Sequence, residues 1–318
     1  MAELISMRKA YGDALVALGA SNPDVVVLSA DVSNSDFSYM FQEKYPDRFF
    51  NVGIAEQSLV DVAAGLAYAG KIPLANTFAF LFATRALEMV RTHLCYGQAN
   101  VKLMGAYAGI SDSFDGPTHH AITDVAIMRS LPNMTIVVPS DTVAVAKLLP
   151  QVVAWNGPVY FRMNRNEVPL LFDETYLPEI GKAITLRSGS DVTLIANGLM
   201  LSRCLEAAGR LELEDRLSVR VMEVHTVKPL DSQAILAAAE ETGALVTAEE
   251  ATILGGLGAA VAETVCAACP VPVIRTGLPD TFAETGPYAE ILDRYGMSVE
   301  HIVTAARRAV ALKSRVPA

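Results

Sequence analysis

The sequence is short of cysteine, of basic charge and of long apolar runs. Its 318 residues include four cysteines, too few for a disulfide scaffold of this length. The net charge of −10 argues against a nucleic-acid binder, which would normally present a basic face. No apolar run approaches the ~18 residues that cross a bilayer, and the N-terminal segment MAELISMRKA lacks the apolar core of a signal peptide. We therefore expect a cytoplasmic protein that binds neither nucleic acid nor membranes.

Two of the cysteines, Cys266 and Cys269, form a C-x-x-C pair. A structural zinc site needs four ligands, and neither a second cysteine pair nor a nearby histidine completes one here. Since free cysteine packs as a small apolar residue, we expect ordinary thiols at these positions.

Apolar side chains are abundant: they make up 52% of the chain, against 19% charged residues. The chain is longer than a single core usually supports, so two domains are expected. Apolar content this high also favours burial between domains or subunits, and an oligomer is predicted.

Short β-branched runs alternate with helical patterns along the whole chain, which predicts an α/β fold of two consecutive domains, each a mostly parallel sheet flanked by helices. The strands expected in the first domain are 25–28, 101–105, 135–139 and 158–162, and its helices include Glu56–Tyr68 and Thr84–Tyr96. A segment rich in proline and charge, 166–182, marks the connection. The second domain is expected to have strands at 191–198, 218–225, 244–250 and 272–277 and helices near 201–213, 232–242, 256–268 and 299–312.

Polar residues concentrate after the strands of the first domain, where open α/β sheets usually bind ligands. The loop SADVSNSDF at 29–37 either holds a ligand or forms a turn that caps a helix. Glu56 follows the apolar residues of NVGIA, and an ionised carboxylate is costly to bury without a partner. It either begins a helix as an outward-facing carboxylate or has a partner that the sequence does not show.

Three phenylalanines lie within five residues of the segment NTFAFLFATR. Alternating aromatic residues at Phe78, Phe80 and Phe82 usually belong to a core, although one ring in a cleft would stack on a flat heterocycle.

The loop SDSFDGPTHHAITD at 111–124 brings together Asp115, His119 and His120 with little structural reason, which favours a functional site. A metal site is the weaker interpretation, because further ligands would be needed and adjacent histidines rarely point the same way. Arg162 and Arg165, after another strand, either clamp an anion or lie on a solvated surface.

Four segments together resemble the C-terminal half of transketolases: RFFNVGIAEQ, ANTFAF, FDGPTHHAITDVAIMRSLPNMTIVVPSD and EVHTVKPLD. They occur in the family's order and cover nearly the whole chain. The resemblance implies a pyrimidine-binding domain at 1–165, a linker at 166–185 and a transketolase C-terminal domain at 186–318. It also implies thiamine diphosphate as cofactor.

The resemblance assigns a role to each matching residue. The partner of Glu56 would be the cofactor's aminopyrimidine ring, with Phe82 or Phe80 stacked on that ring and Phe78 beside them. Asp31 would lie near the cofactor, and Asp115 and His119 would contact the substrate's hydroxyl and carbonyl groups. The residues at the family's sugar-phosphate positions are Ser35, Arg165 and Tyr107.

Two of these positions depart from the family pattern. Tyr107 replaces a histidine that many transketolases use to bind phosphate, so the substrate is expected to differ from an ordinary sugar phosphate. His120 replaces the more usual glutamine, and its role stays open.

The chain has no Gly-Asp-Gly segment, the part of thiamine enzymes that holds Mg²⁺ and the diphosphate. The resemblance therefore implies a split transketolase, in which a second subunit carries the N-terminal half and the metal, as an α2β2 heterotetramer. Its substrates would be a ketose, phosphorylated or otherwise anionic, and an aldose.

Three alternatives remain at this point. The β subunit of a 2-oxoacid dehydrogenase E1 component has the same layout, but the D-G-P-T-H motif favours transketolase. A non-catalytic regulatory subunit of the same fold would not need Glu56, His119 and the aromatic cluster. Deoxyxylulose-phosphate synthase is normally one long chain.

Overall fold

The computed structural model describes residues 4–314 of the chain. Its strands, in chain order, are β1 (Leu4–Ser6), β2 (Val25–Ser29), β3 (Phe49–Asn51), β4 (Ile72–Phe78), β5 (Lys102–Ala106), β6 (Thr135–Val137), β7 (Val159–Arg162), β8 (Glu167–Pro169), β9 (Ile184–Arg187), β10 (Val192–Ala196), β11 (Val219–Glu223), β12 (Thr226–Lys228), β13 (Leu245–Thr252) and β14 (Val273–Leu278). Its α-helices are α1 (Met7–Ser21), α2 (Ser33–Asp36), α3 (Tyr39–Lys44), α4 (Glu56–Tyr68), α5 (Ala79–Ala83), α6 (Leu87–Met89), α7 (Asp124–Ser130), α8 (Thr142–Ala154), α9 (Met200–Asp215), α10 (Ser232–Thr242), α11 (Leu257–Ala268), α12 (Tyr288–Arg294) and α13 (Val299–Lys313).

Two open sheets organise the described residues, which confirms the predicted α/β class. The first has seven strands in the order β12-β6-β7-β5-β4-β2-β3, all parallel except β12. The second has five strands in the order β14-β13-β10-β11-β9, all parallel except β9. A short antiparallel pair, β1 and β8, lies beside them.

The first sheet is covered by helices on both faces, and strand β2 shows why. Val25 and Val27 of β2 pack into one apolar core, while Val26 and Leu28 pack into the other. Successive strand residues point to opposite faces, so a strand buried on both sides must be apolar throughout. The continuous run VVVL satisfies that condition.

Helix α4 places a carboxylate at the edge of this sheet. Its buried residues recur at positions 56, 59, 60, 63 and 64, the spacing of one helical face. The helix ends before Gly70, which adopts a left-handed conformation with φ of 89° that glycine tolerates without strain. The predicted bounds Glu56–Tyr68 are those observed.

The predicted helix at Thr84–Tyr96 is wrong in its start and type. The chain forms the short α6 and then a π-helical segment, Val90–Tyr96. Apolar residues three and four apart are compatible with both kinds of helix, so their spacing did not separate the two.

The two sheets are joined by strand exchange and by buried polar contacts. Strand β12 comes from the second half of the chain but pairs with β6 at the edge of the first sheet. At the end of β11, Glu223 accepts hydrogen bonds from Ser140 Oγ (2.6 Å) and from the Tyr176 hydroxyl (2.8 Å). The carboxylate thus links the first sheet, the connecting segment and the second sheet.

No helix within residues 4–314 is long and apolar enough to cross a membrane. The four cysteines are free thiols, of which Cys95 and Cys204 are buried.

Candidate functional site

A cleft of about 500 Å³ opens where strands β2, β3 and β4 end. The strands are parallel neighbours, so the loops that follow them meet at one edge of the sheet. The residues that line the cleft are Ala30, Asp31, Val32, Ser35, Ile54, Glu56, Phe78, Phe80, Leu81, Arg85, Thr118 and His119. Six residues singled out in the sequence are therefore brought together.

Glu56 lies at the inner wall of this cleft, at the start of α4, and is 1% exposed. Its Oε2 accepts a hydrogen bond from Nη1 of Arg85 at 3.1 Å. The partner that the sequence did not reveal is thus a cation 29 residues further along the chain. Arg85 follows α5 at the end of the aromatic segment, where an isolated charge after an apolar run was the available signal.

The three phenylalanines of the aromatic segment separate into two environments. Phe78 and Phe80 line the cleft. Phe82 is 0% exposed and packs in the core beneath, with Leu59 and Val60 of α4 in the same cluster. The expectation that Phe82 stacks on a ligand is therefore corrected: a ring with no exposed surface has no face to offer, and Phe80 is the ring left for that role.

His119 faces the cleft between the two aromatic rings. Its imidazole lies edge-on to Phe80 at 5.4 Å and to Phe78 at 6.3 Å between ring centres. The Thr118 hydroxyl lies 3.0 Å from His119 Nδ1, which leaves Nε2 for a ligand. These contacts hold the His119 imidazole beside the apolar wall that Phe78 and Phe80 form.

Asp31 and Ser35 contribute the polar side of the cleft. Asp31 has a positive φ of 62°, a conformation that aspartate tolerates better than most residues, and it accepts a hydrogen bond from Asn51 Nδ2 at 2.8 Å. The backbone carbonyl of Ser35 accepts one from Arg8 Nη1 at 2.7 Å. Arg8, in α1, is a further cation near the site that the sequence did not indicate.

Tyr107 and Arg165 extend the site behind Phe78. The Tyr107 ring stacks on Phe78 with centres 4.5 Å apart. Two guanidinium groups lie near the same tyrosine ring, Arg165 at 5.1 Å and Arg8 at 5.6 Å from its centre. Tyr107 is thus packed among aromatic and cationic groups rather than projecting into the cleft.

Asp115 does not line the cleft. It is exposed in the loop before α7, and the chain turns sharply at Gly116, whose φ is 81°. The Asp115 charge nevertheless acts on a buried neighbour, Asp112, whose pKa it helps to raise.

His120 is buried, and neither of its ring nitrogens has a hydrogen-bond partner among the described residues. Burial lowers the pKa of this histidine. Within residues 4–314, no three His, Cys, Asp or Glu side chains are grouped so that they would hold a metal ion.

Both interpretations of Arg162 made from the sequence are wrong. The side chain does not line the cleft, where it could clamp an anion, and it does not lie on the surface. Its side chain is 4% exposed and donates to both carboxylate oxygens of Asp124, at 2.6 and 3.1 Å. It also donates to the carbonyl oxygen of Glu250, at 3.0 Å, in the second half of the chain. A buried guanidinium that bonds to both halves in this way positions them relative to each other.

Comparison with known proteins matches both halves of the chain. The family model "Transketolase, pyrimidine binding domain" matches residues 3–169, and "Transketolase, C-terminal domain" matches residues 181–302. The chain is 38% identical over 308 residues to the 6-deoxy-6-sulfo-D-fructose transketolase subunit SqwH of Clostridium sp. (strain MSTE9), covering 97% of this chain and 95% of that protein. It is 38% identical over 300 residues to one of the subunits of the apulose-4-phosphate transketolase of Phocaeicola vulgatus, covering 94% and 96%.

A solved structure described as a split gene transketolase, inactive beta4 tetramer, is also similar to this chain. It superposes with a TM-score of 0.91 at 44% identity and covers 97% of this chain and 99% of its own.

Proposed function

The chain belongs to the transketolase family, and we propose that it is the C-terminal subunit of a split transketolase, a transferase active only with a partner subunit. It would move a two-carbon ketol unit from an anionic ketose to an aldose. The observation that carries this proposal is the cleft in which buried Glu56 lies with Phe80 and His119.

The family implies thiamine diphosphate, and the cleft fits the aminopyrimidine end of that cofactor. Its lining is mainly apolar, with the Phe80 ring available to stack and the Glu56 carboxylate available to bond a ring nitrogen. When bound, thiamine diphosphate supplies the nucleophilic carbon and the electron sink that carbon–carbon bond cleavage requires.

The residues of this chain would position groups and move protons. Glu56, held by Arg85, would bond the pyrimidine ring nitrogen, and Phe80 would exclude water on one side of that ring. His119 offers Nε2 to a substrate hydroxyl or carbonyl oxygen while Thr118 holds the other nitrogen. Asp31 would lie near the cofactor from the polar side of the cleft.

The diphosphate and its Mg²⁺ would be held by the partner subunit. No Gly-Asp-Gly segment occurs in this sequence, and the two relatives named above are themselves called transketolase subunits. We propose an α2β2 assembly with a transketolase N-terminal-half subunit. The domain bounds 1–165 and 186–318, with the linker between them, also stay proposals.

The alternatives are not favoured. Both family models are transketolase models, which argues against a 2-oxoacid dehydrogenase subunit. The assembled polar and aromatic cleft argues against a purely regulatory role.

The partner requirement is tested by assaying the purified chain with saturating thiamine diphosphate and Mg²⁺, alone and with the partner subunit. We expect turnover only in the mixture. Robust turnover by the chain alone would contradict the proposal.

The role of Glu56 is tested in the same complex with Glu56→Gln. An amide is a poor substitute for the carboxyl group at the ring nitrogen, so the exchange of the cofactor's C2 proton should slow sharply. Glu43→Gln, at an exposed position of α3, is the matched control and should exchange at the wild-type rate. An unchanged rate in Glu56→Gln would make Glu56 a helix-start carboxylate without a catalytic role.

A further inference from the structure

The arginine at the substrate's expected anionic end has a buried carboxylate beside it. Arg165 Nε lies 3.5 Å from Oδ1 of Asp112, whose side chain is 1% exposed. Neither oxygen of Asp112, nor Arg165 Nε, has a hydrogen-bond partner among the described residues. The pair is thus close enough for charge attraction but is not closed by hydrogen bonds.

Such a carboxylate is costly to ionise. Burial, together with the charge of the nearby Asp115 carboxylate, raises the pKa of Asp112 to about 6, and Arg165 opposes both effects. Above that pH the carboxylate offsets part of the positive field that Arg165 offers to a ligand.

Arg8, the second arginine near Tyr107, acts on another buried carboxyl group, that of Asp36. Burial raises the pKa of Asp36 to about 7, while hydrogen bonds from Ser38 and the charge of Arg8 lower it. Asp36 Oδ1 accepts from the Ser38 backbone amide at 2.8 Å. Arg165 thus lies beside a buried carboxyl group, and Arg8 acts on the pKa of a second one, so the site is less positive than its two arginines alone would make it.

We propose that Asp112 makes this site select a ketose whose remote end carries a single negative charge, such as a sulfonate, over a doubly charged phosphate ester. The proposal rests on the proposed function. One negative charge is matched by the partly neutralised arginine, whereas the second charge of a phosphate is repelled by the buried carboxylate of Asp112 behind that arginine. Asp112 does not line the cleft and acts through Arg165, so it is a positioning residue.

The test compares three ketoses in the complete complex: 6-deoxy-6-sulfo-D-fructose, D-fructose 6-phosphate and D-fructose. We expect a higher kcat/KM for the sulfonate than for the phosphate in the wild type. In Asp112→Asn, the phosphate-to-sulfonate ratio of kcat/KM should rise about tenfold, because a like charge near a partly buried site is removed. Asp47→Asn, an exposed position far along the chain, is the matched control and should leave the ratio unchanged. An unchanged ratio in Asp112→Asn would overturn the proposal.

A pH series provides a second measurement that needs no variant. The sulfonate keeps one charge throughout, so the ratio of its KM to that of D-fructose should rise as the pH increases through 6 and Asp112 ionises. The other titratable or charged groups near Asp112 are Asp115, His119 and His120 of its own loop and Arg165 after β7. Asp112→Asn should flatten the rise, and a pH-independent ratio in the wild type would refute the proposal.

Calorimetric binding of the same three ketoses to the complex separates this proposal from the proposed function. If the complex binds the sulfonate preferentially but turns over none of the ketoses, the transketolase assignment is refuted and the role of Asp112 is supported. Turnover without the binding preference would support the assignment and refute the role of Asp112.

Discussion

Glu223 is expected to make the stability of the protein depend on pH, and Glu223→Gln should remove that dependence. The carboxylate is 0% exposed between the two sheets, and burial raises its pKa to about 7 from an ordinary 4.5. Hydrogen bonds from Ser140 and Tyr176 oppose that rise, and the charge of Asp141 adds to it. A glutamine keeps the shape of the side chain and can bond both hydroxyl groups without carrying charge.

The sign and size of the effect follow from proton linkage. A raised pKa means that the folded protein holds this proton more tightly than the unfolded chain does. Stability is therefore lost as the pH rises from 4.5 towards 7, and the loss is complete above that. At 1.36 kcal/mol per pKa unit, ionising Glu223 costs well under ~1 kcal/mol at pH 4.5 and about 3 kcal/mol at pH 8.

Urea unfolding of the purified chain, followed by the fluorescence of its single tryptophan, measures this difference. Glu223→Gln should be more stable than the wild type by up to about 3 kcal/mol at pH 8 and close to it at pH 4.5. Glu206→Gln, at an exposed position of α9, is the matched control and should follow the wild type at both pH values. Parallel profiles for Glu223→Gln and the wild type between pH 4.5 and 8 would refute the reasoning.

Two further predictions concern the cleft. Phe80→Ala should weaken thiamine diphosphate binding by the complex about tenfold, with little change in the free energy of unfolding. Phe82→Ala should instead lower the free energy of unfolding by about 3–5 kcal/mol, because it leaves a cavity in the core. Cofactor titration and urea unfolding of both variants check this, and equal effects on binding would contradict the separation of the two rings. Arg85→Gln leaves buried Glu56 without its cation and should lower the free energy of unfolding by about 1–2 kcal/mol. The loss is smaller than for a fully buried ion pair because Arg85 is half-exposed and solvent screens its charge. Arg85→Lys should retain most of that stability, and identical unfolding midpoints for the two Arg85 variants would argue against the ion pair.

The sequence predicted those elements that local chemistry defines. Helix α4 has both its apolar spacing and a glycine stop within the segment, and its predicted bounds are those observed. Helix α10 likewise begins at Ser232 after an aspartate cap and ends at Thr242 before Gly243. Helix α1 was not predicted, although it begins after a serine cap and buries Met7, Tyr11 and Leu15.

The missed site residues depend on distant parts of the chain. Arg85 meets Glu56 only because α4 and the segment after β4 lie at the same sheet edge. Asp112 looked like an ordinary loop residue, since its burial and its position beside Arg165 arise from tertiary packing. Local periodicity carries no information about such pairs.

Strand β12 has a consequence for dividing the protein. Without it, β6 would be the terminal strand of the first sheet, with unpaired backbone groups along its outer side. Exposed strand edges of this kind readily recruit other chains, and aggregation follows. The apparent linker at 166–185 is therefore a poor place to cut the polypeptide, because the N-terminal piece would lose the strand that protects it.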